Sequence, residues 1–154
     1  MTGPDRLASD IADSRARLSD FVDGCSDEDW VSSPLGSSDP RPVCLIVDHV
    51  AHSYEYLGSW IEALVSGEAV TVDSDVVDAL NSNHADSSTA LSRAEVLAHL
   101  DESGDAIIRL VSGLGVDQLA LDEGLVERFA QIAGRHADGH RSELEDALGV
   151  TPAH

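Results

Sequence analysis

Between Val43 and Leu64 an apolar residue returns every three or four positions: Val43, Val47, Val50, Tyr54, Leu57, Ile61 and Leu64. That rhythm keeps one stripe of a helix apolar for about six turns, and a strand, with its period of two, cannot use it. Pro42 falls at the first turn, where a missing N–H costs nothing, and Gly67 supplies a stop. A helix this long and this one-sided needs partners for its stripe, which points to helix-on-helix packing.

Three other segments offer such partners. Leu7, Ile11, Ser14, Leu18, Phe21 and Val22 predict a helix over about Asp5–Val22, stopped near Gly24. Ser92 with Glu95 three residues on has the capping-box pattern, and Val96, Leu100, Ile107, Leu110 and Val111 carry that helix to Gly113. The last runs from about Leu125 to Leu148 and ends at Gly149. Between the first and second lies CSDEDWVSSPLGSSDPRP, an ordered connection at best, with Trp30 as its hydrophobic plug. Glu68 to Ser92 reads as a long polar crossover with one short helical turn at Val76–Leu80. The expectation is an all-α single domain over 1–154, a four-helix bundle running up-down-down-up, with helices three and four as antiparallel neighbours.

Charge narrows the function classes. Acidic residues number 29 against 9 basic ones, for a net charge of −20, and every basic residue is arginine. Such a surface repels nucleic acid and anionic lipid, so neither is an expected partner. An Asp-rich, lysine-free surface suits a high-salt cytoplasm. Cys25 and Cys44 form no metal or redox motif and read as reduced thiols, Cys44 as a small core residue. No apolar h-region opens the chain and no run is long enough to span a membrane, so a cytoplasmic location is expected.

The chemistry resides in histidine. In RHADGHRSEL, His136 and His140 stand four residues apart on the apolar stripe of the last helix, with Leu125, Phe129, Ile132 and Ala147. Two imidazoles facing a core are either core histidines bonded to buried groups or half of a metal site. His49 lies on the flank of the Val43–Leu64 stripe with Ile46, Ser53 and Trp60, and can look into a bundle. His52 points nearly opposite and is expected in solvent; His84 is expected exposed and His99 on a partly exposed flank. His49, His136 and His140 therefore form the candidate site, three neutral imidazoles with an open position, with metal–nitrogen distances of about 2.0–2.2 Å. Zinc, nickel and copper all suit such donors. Glu143, one turn beyond His140, is a candidate acceptor or proton carrier, and Tyr54 or Tyr56 a candidate pocket donor.

Three stretches in series resemble the DinB/YfiT-like family. WVSSPLGSSDPRPVCLIVDHVAHSYEYLGSWI is similar to that family's histidine-bearing second helix behind a Trp-containing, Pro-rich loop. VDALNSNHADSSTALSRAEVLAHLDES resembles its crossover and S-x-x-E helix start, and RHADGHRSEL its fourth-helix HxxxH. The resemblance implies a bundle with a three-histidine metal site on His49, His136 and His140, and a homodimer; zinc or nickel is the metal expected of such donors. Trp30 and Trp60, expected at loop and flank positions, would be hidden in that dimer. The activity it implies is transfer of a low-molecular-weight thiol, of the bacillithiol or mycothiol kind, to an electrophilic small molecule. Mycothiol-dependent maleylpyruvate isomerase is related through its N-terminal domain, and its additional C-terminal domain is not expected here. Metal-dependent hydrolysis and a non-enzymatic, stress-related metal-binding bundle are the alternatives.

Overall fold

A computed structural model describes residues 3–72, 74–87 and 91–149. Among them are seven helices and no strand: α1 (Pro4–Gly24), α2 (Asp27–Trp30), α3 (Val43–Val65), α4 (Ser74–Ser87), α5 (Arg93–Ser112), α6 (Val116–Leu119) and α7 (Leu121–Leu148). The four long helices predicted from periodicity are α1, α3, α5 and α7.

Their directions follow from which residues meet. Gly134 of α7 lies against Asp10 of α1 and Arg17 pairs with Asp138, so α1 and α7 run the same way. His99 meets Asp48 while Gly58 faces Ile107 and Leu110, so α3 and α5 are also parallel. His49 meets His136 and Trp60 meets Phe129, which makes α3 and α7 antiparallel. Arg93 reaches the Cys25 carbonyl while Arg15 crosses Gly104, making α1 and α5 antiparallel. The bundle is up-down-down-up as expected.

The neighbours differ from expectation in one respect. The principal packing pairs are α1 with α7, α3 with α5, α1 with α5 and α3 with α7. Helices three and four of the bundle, α5 and α7, are thus antiparallel but diagonal. Their link is long enough to cross the bundle's end because α6 folds within it and packs on α7. A left-handed turn follows at Asp122 (φ 51°), Glu123 (φ 58°) and Gly124 (φ 83°), re-aiming the chain before regular helix begins at Leu125.

The core fills the space between the four stripes, with Leu7, Ile11, Leu18, Val47, Val50, Leu57, Ile61, Leu100, Ile107, Val126 and Leu144 all buried. Cys44 is buried among them and neither cysteine is paired. Trp30 plugs the end as predicted, its Nε1 donating to the Leu91 carbonyl at 2.9 Å. Trp60 packs on Phe129 and Tyr56. Both indoles find partners inside the chain, Trp30 buried and Trp60 partly exposed.

The crossover is more ordered than a single helical turn at Val76–Leu80. Helix α4 spans Ser74–Ser87. Its stripe, Val77, Leu80 and His84 at spacings of three and four, includes a histidine in place of an aliphatic residue, which hid the continuation. No helix among the described residues is long and apolar enough to cross a membrane.

Candidate metal centre

Helix α3 contributes His49 from two turns inside its buried N-terminal half, and α7 contributes His136 and His140 one turn apart. Antiparallel packing sets these positions level. His49 Nε2 lies 3.1 Å from His136 Nε2, and His140 Nε2 lies 2.9 Å from His136 Nε2. Among the described residues this is the group whose donor atoms converge closely enough to hold a metal ion, all within 4.8 Å of one another. Donors at about 2.1 Å from a common ion would stand roughly 3.0–3.4 Å apart for right-angled to tetrahedral arrangements, close to the two spacings to His136 Nε2. The three residues named from sequence are brought together.

Burial and mutual repulsion keep the imidazoles unprotonated. His49, at 4 % exposure, has its pKa pushed down to about 2, by burial first and then by His136, His140 and Arg41. His136 falls to about 4 through burial, His140 and Arg41. His140 is lowered by burial, against the pull of Glu143, whose carboxylate stands 3.5 Å from Nδ1. Three neutral rings whose Nε2 atoms face one another either crowd lone pairs together or must be divided between tautomers, some with a proton on Nε2. A cation resolves that conflict. Glu143 is in position to accept from His140 Nδ1, as expected, while the buried His49 Nδ1 has no partner among the described residues.

The other three described histidines form a second array on the adjoining face of α3. Asp48, His52 and Glu55 share that face, being four and seven residues apart. Asp48 accepts from His84 Nε2 at 2.7 Å through one oxygen and from His99 Nδ1 at 2.7 Å through the other. His99 Nε2 continues to Glu55. The expectation of an exposed His84 is corrected: α4 lays the side chain on α3, and it is 9 % exposed. His52 is not freely solvated either. Its ring stacks between His84 at 5.0 Å and Tyr56 at 5.7 Å, and its Nε2 is buried without a partner among the described residues. His99 is partly exposed as expected, but ion-paired. His52 stays outside the converging group.

Asp48 was not singled out by sequence reasoning. The available signal was an acid beside His49 inside the apolar run Cys44–Ala51. Burial opposes its ionisation, but the bonds from His84 and His99 prevail and lower its pKa. For His99 burial likewise opposes the charge, and the bonds to Asp48 and Glu55 raise its pKa. Tyr54, a candidate pocket donor, is instead a core residue at 1 % exposure.

A cleft of about 550 Å³ between α1 and α7 is lined by Arg6, Asp10, Asp13, Arg17, Gly134 and Asp138, on a different face of α7 from the imidazoles. Its charges are largely self-paired, Arg6 with Asp10 and Arg17 with Asp138. Comparison of the chain with family models, with characterised proteins and with solved structures finds no match.

Proposed function

We propose that the protein is a metal-dependent enzyme of the DinB-like kind, transferring a low-molecular-weight thiol to an electrophilic small molecule. The observation that carries the metal reading is the meeting of three neutral Nε2 atoms from two helices, within reach of one another and of a common ion among the described residues. His49, His136 and His140 would hold a divalent transition ion, zinc or nickel. Such an ion supplies Lewis acidity that lowers the pKa of a thiol or water in its open positions. The chain's own contribution is a rigid, pre-deprotonated donor set and a dry wall formed by α3 and α7. Glu143 orients His140 and can take up a proton at the site's edge. Thiol transfer, the DinB-like assignment and a homodimer rest on the sequence resemblance.

Metal content of the protein as purified tests the first half. One equivalent of transition metal, lost in His140→Ala, is expected; metal-free protein that takes up none refutes it. The second half is tested with a small thiol and 1-chloro-2,4-dinitrobenzene, where a C–S bond forms, chloride leaves and the thiol proton passes to buffer. Metal- and thiol-dependent chloride release supports transfer. Turnover of ester or amide substrates without thiol would assign hydrolysis instead, and firm metal binding without either turnover a non-enzymatic role.

A further inference from the structure

We infer that Arg41 is the anion anchor of this metal centre, selecting a ligand that carries a carboxylate beside its metal-binding atom. The inference rests on the metal reading above.

Topology places the residue. Helices α3 and α7 are antiparallel, with Trp60 level with Phe129 and His49 level with His136 and His140. Continuing that register, the chain entering α3 at Pro42 lies level with Glu143 and the turn beyond His140. At about 1.5 Å per residue, the start of α3 is roughly 9 Å along the axis from His49, within reach of an arginine and a small ligand together. The segment is braced: Ser33 donates to the Pro40 carbonyl at 2.6 Å, and the Val43 N–H donates to Ser32 at 2.9 Å.

Asp39 aims the side chain. It takes the Nε and Nη2 hydrogens of Arg41 at 2.9 and 2.8 Å, and makes no use of Nη1. The guanidinium is 27 % exposed, so the remaining edge is reachable. Its charge bears on His49, His136, His140 and Glu143, groups on both helices of the site. The arginines adjacent in sequence to the ligands are used elsewhere: Arg141 on Asp138 and Glu145, Arg135 on the Gln131 carbonyl. In a chain of net charge −20, Arg41 is a half-buried cation held beside three neutral imidazoles, and although Asp39 offsets its charge, its Nη1 edge still has donors to offer an anion. Anions, otherwise repelled, are favoured there.

Cobalt-substituted protein tests this without turnover, through the sulfur-to-cobalt absorption that appears when a thiolate binds. The probes are 3-mercaptopropionate, 2-mercaptoethanol and cysteamine, which share a two-carbon spacer and differ in charge. In wild type, the carboxylate thiol should bind about tenfold more tightly than the neutral one, and cysteamine most weakly, since a charge-assisted hydrogen bond is worth about that factor. In Arg41→Gln the preference should collapse to within about twofold. The same collapse is expected in Asp39→Asn/Arg41→Gln, which leaves net charge unchanged. Each ratio is taken within one protein, so altered folding does not mimic the result. Equal affinities in wild type, or a preference that survives both variants, overturns the anchor while leaving the metal centre intact. Failure to bind cobalt at all removes the metal reading, and the anchor with it.

Discussion

The depressed histidines make a prediction about acid stability in the metal-free protein. In the unfolded chain each imidazole takes up its proton near 6.5, whereas in the fold His49 does so only near 2 and His136 only near 4. Between these values the unfolded state binds more protons, so stability falls as pH falls. From pH 7 to pH 5 each of the two should remove about 2 kcal/mol, together about 4 kcal/mol. His140 adds in the same direction. For a domain whose whole stability is of the order of 5–15 kcal/mol, that is a large fraction.

The assay is urea unfolding with chelator present, at pH 7 and pH 5, on wild type and His136→Gln. The variant lacks one of the two strongly depressed imidazoles and should lose about 2 kcal/mol less over the same interval. Comparing the two proteins cancels the titration of the remaining acids, which is common to both. Zinc at pH 7 should stabilise wild type, because it binds the folded donor set. Equal losses in wild type and variant, or a wild type indifferent to pH, would show that the imidazoles are not held neutral by burial.

His140→Ala should leave the helical pattern of α7 intact and make the thermal midpoint insensitive to chelator, while wild type drops on chelation; a strongly destabilised variant beside a chelator-blind wild type would mark His140 as a core residue instead. Asp48→Asn should loosen α4 and α5 from α3, read as lost amide-exchange protection in Ser74–Ser87. Asp48 supports the fold above its ordinary pKa of 3.8 and loses that support as pH falls through its lowered value, whereas His99 supports it below 6.5 and loses it as pH rises through its raised one. The stability gap between wild type and Asp48→Asn should therefore be larger at pH 6 than at pH 9, and the reverse order would refute the ion-pair account. Tyr54→Phe should change stability by less than about 1 kcal/mol, because its buried hydroxyl meets no well-formed hydrogen bond among the described residues; a loss above about 2 kcal/mol would show that the nearby Ser14 hydroxyl bonds it.

The bundle and its ligand trio were legible because both depend on period. Val43 to Leu64 and Leu125 to Leu148 specify which face of each helix is buried, and a histidine on that face is visible as an exception. The second array was not legible, because it depends on pairing between elements. Nothing in NSNHADSS distinguishes a solvated His84 from one laid on α3; the difference is Asp48, which lies 36 residues away in sequence. Asp48 itself is ambiguous alone, since an acid in a buried turn is disfavoured until its two imidazole partners are known. The diagonal placement of α5 and α7 escaped for a related reason. A short link predicts adjacency, and only the left-handed turn at Asp122–Gly124, with two non-glycine residues at positive φ, redirects the chain.

Asp48 and His49 are consecutive, so their side chains leave α3 about 100° apart. That single step divides the helix between two tasks. His49 faces α7 and the converging donors; Asp48 faces α4 and α5 and fixes both through His84 and His99. The rings of His49 and His84 are 6.2 Å apart, so the two networks adjoin without merging. A rotation of α3 about its axis would carry His49 away from His136 and Asp48 away from its imidazoles together. The ion pairs on the crossover side therefore oppose the motion that would disperse the donors, while the donors' close approach leaves little freedom to the crossover's anchor. The bundle holds three uncharged imidazoles together because an ionised aspartate one residue away fixes the helix that carries the first of them.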